Sequence, residues 1–323
     1  MISDQAGYSQ SMRAIGVTEY GGPEVLQELD VPAEQIGPGQ VRVRVSKAAV
    51  NPTDTGVRAG MRAQRERPAG VGEVPGMDVA GTVVEVGPGV EGIGAGDRVM
   101  AIVVPSGPHG GYRDEIVLPA GSVAAAPSGA SDAEAATLPM NGLTARLALD
   151  ALDLRPGQVV AVTGAAGAFG GYVVQLAKAD GLTVVADAQD SDVELVSSLG
   201  ADHIVRRGHE VAAAIRDRFP DGVDGLADGS VQEDEVLPAV RDGGTMATVR
   251  GWAGEGQDRV RVVPVLVRRA AERHDLLDAL RRQAEAGALT LRVADVLPAD
   301  QAAQAHRRLE AGGVRGRLVL DFS

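Results

Sequence analysis

The stretch VVAVTGAAGAFGGYVVQLAKADGLTVVADAQ, residues 159–189, reads as strand, tight glycine turn, helix and second strand. Val159, Val160, Ala161 and Val162 form a short apolar run suited to a parallel strand buried on both faces, and residues 163–170 supply the turn. Ala165-Ala166-Gly167-Ala168-Phe169-Gly170 follows the dinucleotide-binding fingerprint with alanine at its first glycine, while Gly164 just before it keeps the turn permissive. Gly167 leaves bare backbone for a pyrophosphate to approach. The following helix presents unpaired N–H groups to that anion, a gain of roughly 0.3 to 2 kcal/mol from the helix dipole alone. Gly170 lets the helix pack closely on the strand. Asp187, at the end of the second strand, stands near the spacing of roughly 20 residues expected for an acid that accepts from a ribose hydroxyl. A glycine turn by itself is also an ordinary strand-to-helix connection; the valine-rich strands on either side and the downstream acid are what point to a dinucleotide.

Outward from this unit, the pattern divides the chain. Residues 1–11 are polar and aperiodic and read as a mobile tail. A first strand is expected over residues 12–17, and signals up to about residue 125 are those of an all-β unit: Val41, Val43 and Val45 alternate with Arg42 and Arg44, and further strands are expected over 82–86 and 98–104. A helix-forming run over 132–152 leads into the nucleotide unit. Beyond Asp187 a helix over 192–199 stops at Gly200, and strands are expected at 204–205, 223–228, 245–249 and 260–267. Six strands alternating with helices suit a doubly wound parallel sheet. Residues 269–287 and 298–312 read as amphipathic helices, and 317–322 as a last strand returning to the first unit.

At 323 residues and 44% hydrophobic content the chain has material for two cores, and with aromatics at 2% those cores must be built from Val, Leu, Ala and Ile. No apolar run is long enough to span a membrane and the start lacks the parts of a signal peptide, so a cytoplasmic protein is expected. The absence of cysteine excludes disulfides, reactive thiols and every Cys-containing zinc site. A formal charge of −13 argues against binding nucleic acid, which requires Lys and Arg to neutralise phosphates.

Several segments together resemble the quinone oxidoreductase group of the medium-chain dehydrogenase/reductase superfamily: AAVNPTDTGVRAG (48–60), PGMDVAGTVVEVGPGV (75–90), GDRVM (96–100), GGY (110–112), NGLTA (141–145), the glycine turn, LGAD (199–202) and GRLVL (316–320). The resemblance implies a GroES-like β-barrel domain, residues 12–128 and 269–323, and a Rossmann domain, residues 129–268, with the active site between them. It also implies an NAD(P)H cofactor, a small-molecule quinone or enone substrate, and a homodimer joined along the Rossmann edge strand. Zinc-dependent relatives carry a Cys near Asn51 and a Gly-His-Glu where this chain has Gly76-Met77-Asp78, so a metal-free enzyme is expected. Without a Lewis acid to hold an alkoxide, worth several kcal/mol, conjugated acceptors are favoured, because they spread the incoming charge over their own π-system.

The same resemblance places Asn51 and Asp54 in a loop beside the nicotinamide and Thr144 against it. Asn-Pro-Thr-Asp is equally ordinary turn chemistry. Relatives often have aromatics where Gly56 and Met61 fall, which implies a roomier pocket here. His109 and Tyr112, in PSGPHGGYRDE, are candidate proton donors, with an exposed loop His and a packing Tyr as their plain alternatives. Arg250 and Trp252 follow the fifth strand of the sheet, at the edge where open α/β folds bind ligands, and Trp252 could stack on a substrate or wedge a domain interface. Asp78 is expected to hydrogen-bond backbone at the domain hinge. Asp187, Asp190 and Asp192 would repel a 2′-phosphate, so NADH is favoured over NADPH, although Arg206 and Arg207 stand near enough to reach one. The cofactor-binding set is thus Thr144, Gly164, Ala165, Ala166, Gly167, Ala168, Phe169, Gly170, Asp187 and Arg250. Two rival functions remain open: an enoyl-thioester reductase, with Arg58, Arg62, Arg65 and Arg67 greeting a phosphorylated arm, and a nucleotide-sensing protein without turnover.

Overall fold

The computed structural model describes residues 11–61, 72–255 and 258–323. Ten residues of the expected N-terminal tail lie outside that set, and Ser11 already belongs to a strand. A hairpin of β1 (Ser11–Gly16) and β2 (Gln27–Pro32) packs on a barrel-like sheet that begins with β3 (Gln40–Ala49), where the Val41, Val43, Val45 face is buried as alternation demands. A short helix α1 (Pro52–Arg58) follows, then β4 (Asp78–Val86), β5 (Arg98–Ile102), β6 (Glu115–Pro119) and β7 (Val123–Ala125). The segment 51–58, expected as a loop, is helical because Pro52 opens it with a preset φ and the Asp54 carboxylate accepts the Asn51 N–H at 2.8 Å.

The expected single helix over 132–152 is two. α2 (Asp132–Ala135) is capped by Ser131, whose hydroxyl accepts from Glu134 N, and α3 (Pro139–Leu152) starts afresh at Pro139, whose ring cannot sit inside a helix. The nucleotide unit then runs β8 (Val159–Thr163), α4 (Ala168–Ala179), β9 (Thr183–Ala188), α5 (Val193–Ser198), β10 (His203–Arg206), α6 (Val211–Arg218), β11 (Val223–Asp228), β12 (Val240–Thr248) and β13 (Arg261–Pro264). These six strands are all parallel in the order β10-β9-β8-β11-β12-β13. That is the doubly wound Rossmann order, in which a crevice opens where the winding reverses, between β8 and β11. Val160, Val162, Val184 and Ala186 face one buried cluster and Ala161 and Val185 the other, so both sheet faces are covered.

The rest of the chain crosses back. α7 (His274–Glu285) puts Leu277 and Leu280 into the same core as Leu138 and Leu143, while His274 Nδ1 lies 2.7 Å from Val123 O of the barrel. β14 (Val293–Pro298), α8 (Ala302–Glu310) and β15 (Arg317–Asp321) complete the order. The second sheet reads β14-β15-β3-β4-β5-β7, with β6 also paired to β3. Among the described residues no helix is long and apolar enough to cross a membrane.

One glycine carries the junction of strand, turn and helix. A Cβ on Gly170 would stand 2.3 Å from Gly164 O, so Gly170→Val should destabilise the fold by roughly 3 kcal/mol. Thermal unfolding checks this, and an unchanged midpoint would mean that the helix does not seat on the turn this way.

Candidate active site

β8 ends at Thr163, whose hydroxyl donates to Asp228 Oδ1 at 2.6 Å, tying together the two strands that flank the crevice. Gly164 then turns with φ 67°, Gly167 N donates back to Gly164 O at 2.9 Å, and Gly167 caps α4 with no side chain. The first intrahelical bond is Gly171 N to Gly167 O, so the N–H groups at the start of α4 face the crevice without helical acceptors. Asp187, 2% exposed at the end of β9, accepts from Ala165 N through Oδ1 at 3.0 Å. Its Oδ2 is buried with no hydrogen-bond partner, and Arg207 Nε is 4.0 Å away. Burial raises the Asp187 pKa, against the pull of the Ala165 N–H and Arg207. An orphaned acceptor beside bare donors is what the ribose and pyrophosphate of a dinucleotide require, so these residues fit such a cofactor.

In front of the turn is a cleft of about 190 Å³. The barrel contributes Pro52, Thr53 and Met77; the nucleotide unit contributes Met140, Asn141, Thr144, Phe169, Val231, Val265 and Arg250. Val231 holds φ 57°, a conformation that a β-branched residue adopts only under strain, and its side chain reaches the cleft from the loop after β11. Thr144, which lines the cleft, donates its hydroxyl to Met140 O at 2.6 Å and so keeps acceptor capacity.

Profiles of two known families match the chain: the alcohol dehydrogenase GroES-like domain over residues 37–128 and the zinc-binding dehydrogenase over residues 199–320. A 2-haloacrylate reductase from Burkholderia sp. is 31% identical over 332 residues, covering 93% of this chain and 96% of that protein. The chain belongs to the medium-chain dehydrogenase/reductase superfamily. This superfamily also supplies a 2-methylene-furan-3-one reductase from Solanum lycopersicum, 33% identical over 248 residues and covering 74% of this chain and 62% of its own length. The quinone oxidoreductase from Coxiella burnetii has a solved structure that superposes with TM-score 0.83 at 26% identity, covering 97% of this chain and 100% of that one. The chain spans 62 to 65% of the length of several curated relatives it matches. One of those relatives is named an NADPH-dependent alkenal/one oxidoreductase, from Arabidopsis thaliana, 32% identical over 258 residues.

Zinc, for which one of the two matched families is named, does not fit the side chains present. Asn51 Nδ2 is committed to Asp78 Oδ2 at 2.9 Å, Asp78 to Arg317 and Met140 N, and Met77 offers only a thioether. Among the described residues no three His, Cys, Asp or Glu side chains gather to hold a metal.

Of the candidates named from the sequence, Thr144, Phe169 and Arg250 line the cleft, and the fold holds others away from it. Asn51 is wholly buried behind Asn141, whose Nδ2 approaches Asn51 Oδ1 at 3.4 Å. Tyr112 is fully buried, its hydroxyl donating to Asp54 Oδ2 at 3.2 Å and lying 3.3 Å from His306 Nε2, so it cannot reach a substrate in the cleft. Burial and the Asp54 charge push its pKa well above 10.0, and burial, with Arg58 nearby, brings His306 down to about 3. His109 Nδ1 stands 2.7 Å from Glu34 Oε1 on the barrel surface, where Arg113 shares the carboxylate. Met61 is 62% exposed and lies against Gly56 outside the cleft. Trp252 packs on the cluster of Met246 and Val260, on the other side of the sheet. Arg58 is buried and paired with Glu310 at 2.6 Å rather than at the cleft mouth, and Arg62, Arg65 and Arg67 lie outside the described residues. Asn141 and Thr53 were not anticipated. Asn141 had a signal, standing three residues before Thr144 on one helix face.

Asp54 sits beneath this wall with no solvent exposure, accepting from Asn51 N, Gly76 N at 3.0 Å and the Tyr112 hydroxyl. Burial outweighs those donors and raises its pKa from 3.8 to about 6. Because the folded state holds the proton more tightly than the unfolded chain, the charge costs nothing below pH ~4 and its full cost, on the order of 3 kcal/mol, above pH ~6. Relative to Asp54→Asn, the wild type should therefore gain stability as pH falls from about 6.5 to about 4. Denaturant midpoints of the two proteins across that range measure it, and a constant difference would mean that Asp54 does not titrate there.

Proposed function

We propose that the protein reduces a quinone or an α,β-unsaturated carbonyl with NAD(P)H, without zinc, in the cleft between residues 129–268, acting as the nucleotide domain, and the barrel formed by residues 12–128 and 269–323. The observation that carries this reading is that Phe169 of the glycine turn and Thr144 line the same cleft as the polar groups of Thr53 and Asn141. The nicotinamide supplies the hydride. Asp187 Oδ2 accepts from a ribose hydroxyl, the N–H groups at the start of α4 receive the pyrophosphate, and Thr144 accepts from the carboxamide. Met77, Met140 and Val265 exclude water from the reacting face. Asn141 Nδ2 and the Thr53 hydroxyl donate to the substrate carbonyl oxygen as charge gathers there, the Thr53 hydroxyl having no partner among the described residues. The relatives named for reduction of a haloacrylate, a methylene-furanone and an alkenal support an activated double bond as the acceptor.

NADH is the favoured coenzyme in this reading. Arg207 and Arg206 stand 4.0 Å from Asp187 and Asp190, and Arg315 is held by Asp192 at 2.7 Å, so each cation near the adenosine ribose already faces a carboxylate. The outer edge of β13 ends the parallel sheet and supports pairing with a second copy. The pairing of buried Arg58 with Glu310 removes one of the basic residues that a thioester arm would need, which favours a free enone over an enoyl thioester.

Oxidation of NADH and NADPH should be followed side by side with 9,10-phenanthrenequinone, a benzoquinone, a short enone and its coenzyme A thioester. The wild type should turn over the free acceptors with NADH preferred, and Asp187→Ala should erode that preference by about tenfold, the equivalent of ~1.4 kcal/mol. Turnover of the thioester alone, or binding of coenzyme without oxidation by any acceptor, would overturn the proposal.

A further inference from the structure

Arg292 lies between α7 and β14, on the part of the chain that returns to the barrel, and its half-buried guanidinium spans the back of the glycine turn. Nη1 donates to Ala166 O at 3.1 Å and Nη2 to Gly167 O at 2.6 Å. Among the described residues it has no carboxylate within ion-pairing distance, whereas its neighbour Arg315 is neutralised by both oxygens of Asp192. The approach is possible because residue 171 is glycine: a Cβ there would stand 2.4 Å from Nη2. Each carbonyl it holds belongs to a peptide whose N–H lies on the next residue, Gly167 in one case and Ala168 in the other. A cation on the oxygen draws charge through the peptide and strengthens the N–H as a donor. Ala168 is the first residue of α4, where an anion would be received.

We propose that Arg292 is a positioning residue for the nucleotide's pyrophosphate, acting through the Gly167 peptide, whose N–H is that of Ala168, and by its own unneutralised charge, the Gly167 N–H being already given to Gly164 O. This rests on the nucleotide site assigned above to the glycine turn. The net charge of −13 adds a long-range repulsion toward a dianion, which a cation placed at the turn offsets. A half-buried cation without a counter-ion costs the empty protein free energy, which an arriving pyrophosphate recovers. Desolvation lowers the Arg292 pKa, in keeping with a cation held away from water.

The test is calorimetric binding of ADP-ribose, which carries the pyrophosphate and no nicotinamide, to the wild type, Arg292→Lys and Arg292→Gln across a range of salt concentrations. Thermal unfolding of each protein is measured first. At low salt Arg292→Gln should weaken ADP-ribose by about tenfold, and the loss should shrink as salt rises. Arg292→Lys, which keeps the charge and loses the fork, should retain most of the affinity. Unchanged affinity in a folded Arg292→Gln, or a loss of the same size at every salt concentration, would overturn the electrostatic role. If Arg292→Gln does not fold, Arg292→Lys decides alone, since a loss as severe as tenfold with the charge retained would show a purely structural contact. A wild type that binds neither ADP-ribose nor NADH would overturn the nucleotide site itself, an outcome distinct from a silent substitution.

Discussion

A carboxylate enclosed in an apolar interior must be surrounded by donors, and Asp78 is the place where this protein meets that demand. It has no solvent exposure and accepts from Met140 N at 2.6 Å, Asn51 Nδ2 at 2.9 Å and Arg317 Nη2 at 3.1 Å. Those donors come from the start of α3, the start of α1 and the start of β15, so one side chain on β4 fixes the nucleotide unit against the barrel. Arg317 extends the knot to Val50 O and Thr137 O. Losing one partner of such a buried pair costs about 3 to 5 kcal/mol, because the other is left charged and unmatched. The cleft exists where it does because its two walls are tied at this point.

The walls themselves divide the labour. Thioethers and branched side chains make up most of the cleft lining, with a few polar residues among them. Asn51 and Asp54, which sit closest to the knot, are consumed by it; Asn141 touches it only through Asn51 Oδ1, and Thr53 stands one step farther out. Val231 shows the same economy in the backbone. Its left-handed conformation costs roughly 1 to 2 kcal/mol, and it is one of the residues that shape the cleft from the nucleotide side.

The parallel sheet was legible in the sequence because its signals are local: valine runs buried on both faces, a glycine turn and an acid at the next strand end. The order β10-β9-β8-β11-β12-β13 follows from them and from the handedness of βαβ crossovers. The segment around Asn51 was misread as loop because a proline and an Asx residue serve a turn and a helix start equally well. β14 was missed because its residues show no alternation: Ala294, Asp295 and Val296 are all exposed and only Leu297 is buried. Thr144, Phe169 and Arg250, named from their motif positions, line the cleft. Tyr112, His109 and Trp252 were not excluded by sequence, because whether an aromatic or a histidine points into a cleft or away from it is decided by packing between distant segments.

That distance has a further effect, on the order in which the molecule assembles. Lys47 Nζ and Asp321 Oδ1, at 2.7 Å, join residues 274 positions apart, and β15 closes the barrel by pairing with the end of β3. The strands of the nucleotide sheet, by contrast, are contiguous in the chain. As the polypeptide leaves the ribosome, that sheet can form while the barrel still has an open flank, and non-local pairings of this kind are slow. Until the final strand arrives, the end of β3 at Lys47, Ala48 and Ala49 lacks its partner and is a free edge of the kind that invites pairing with another chain.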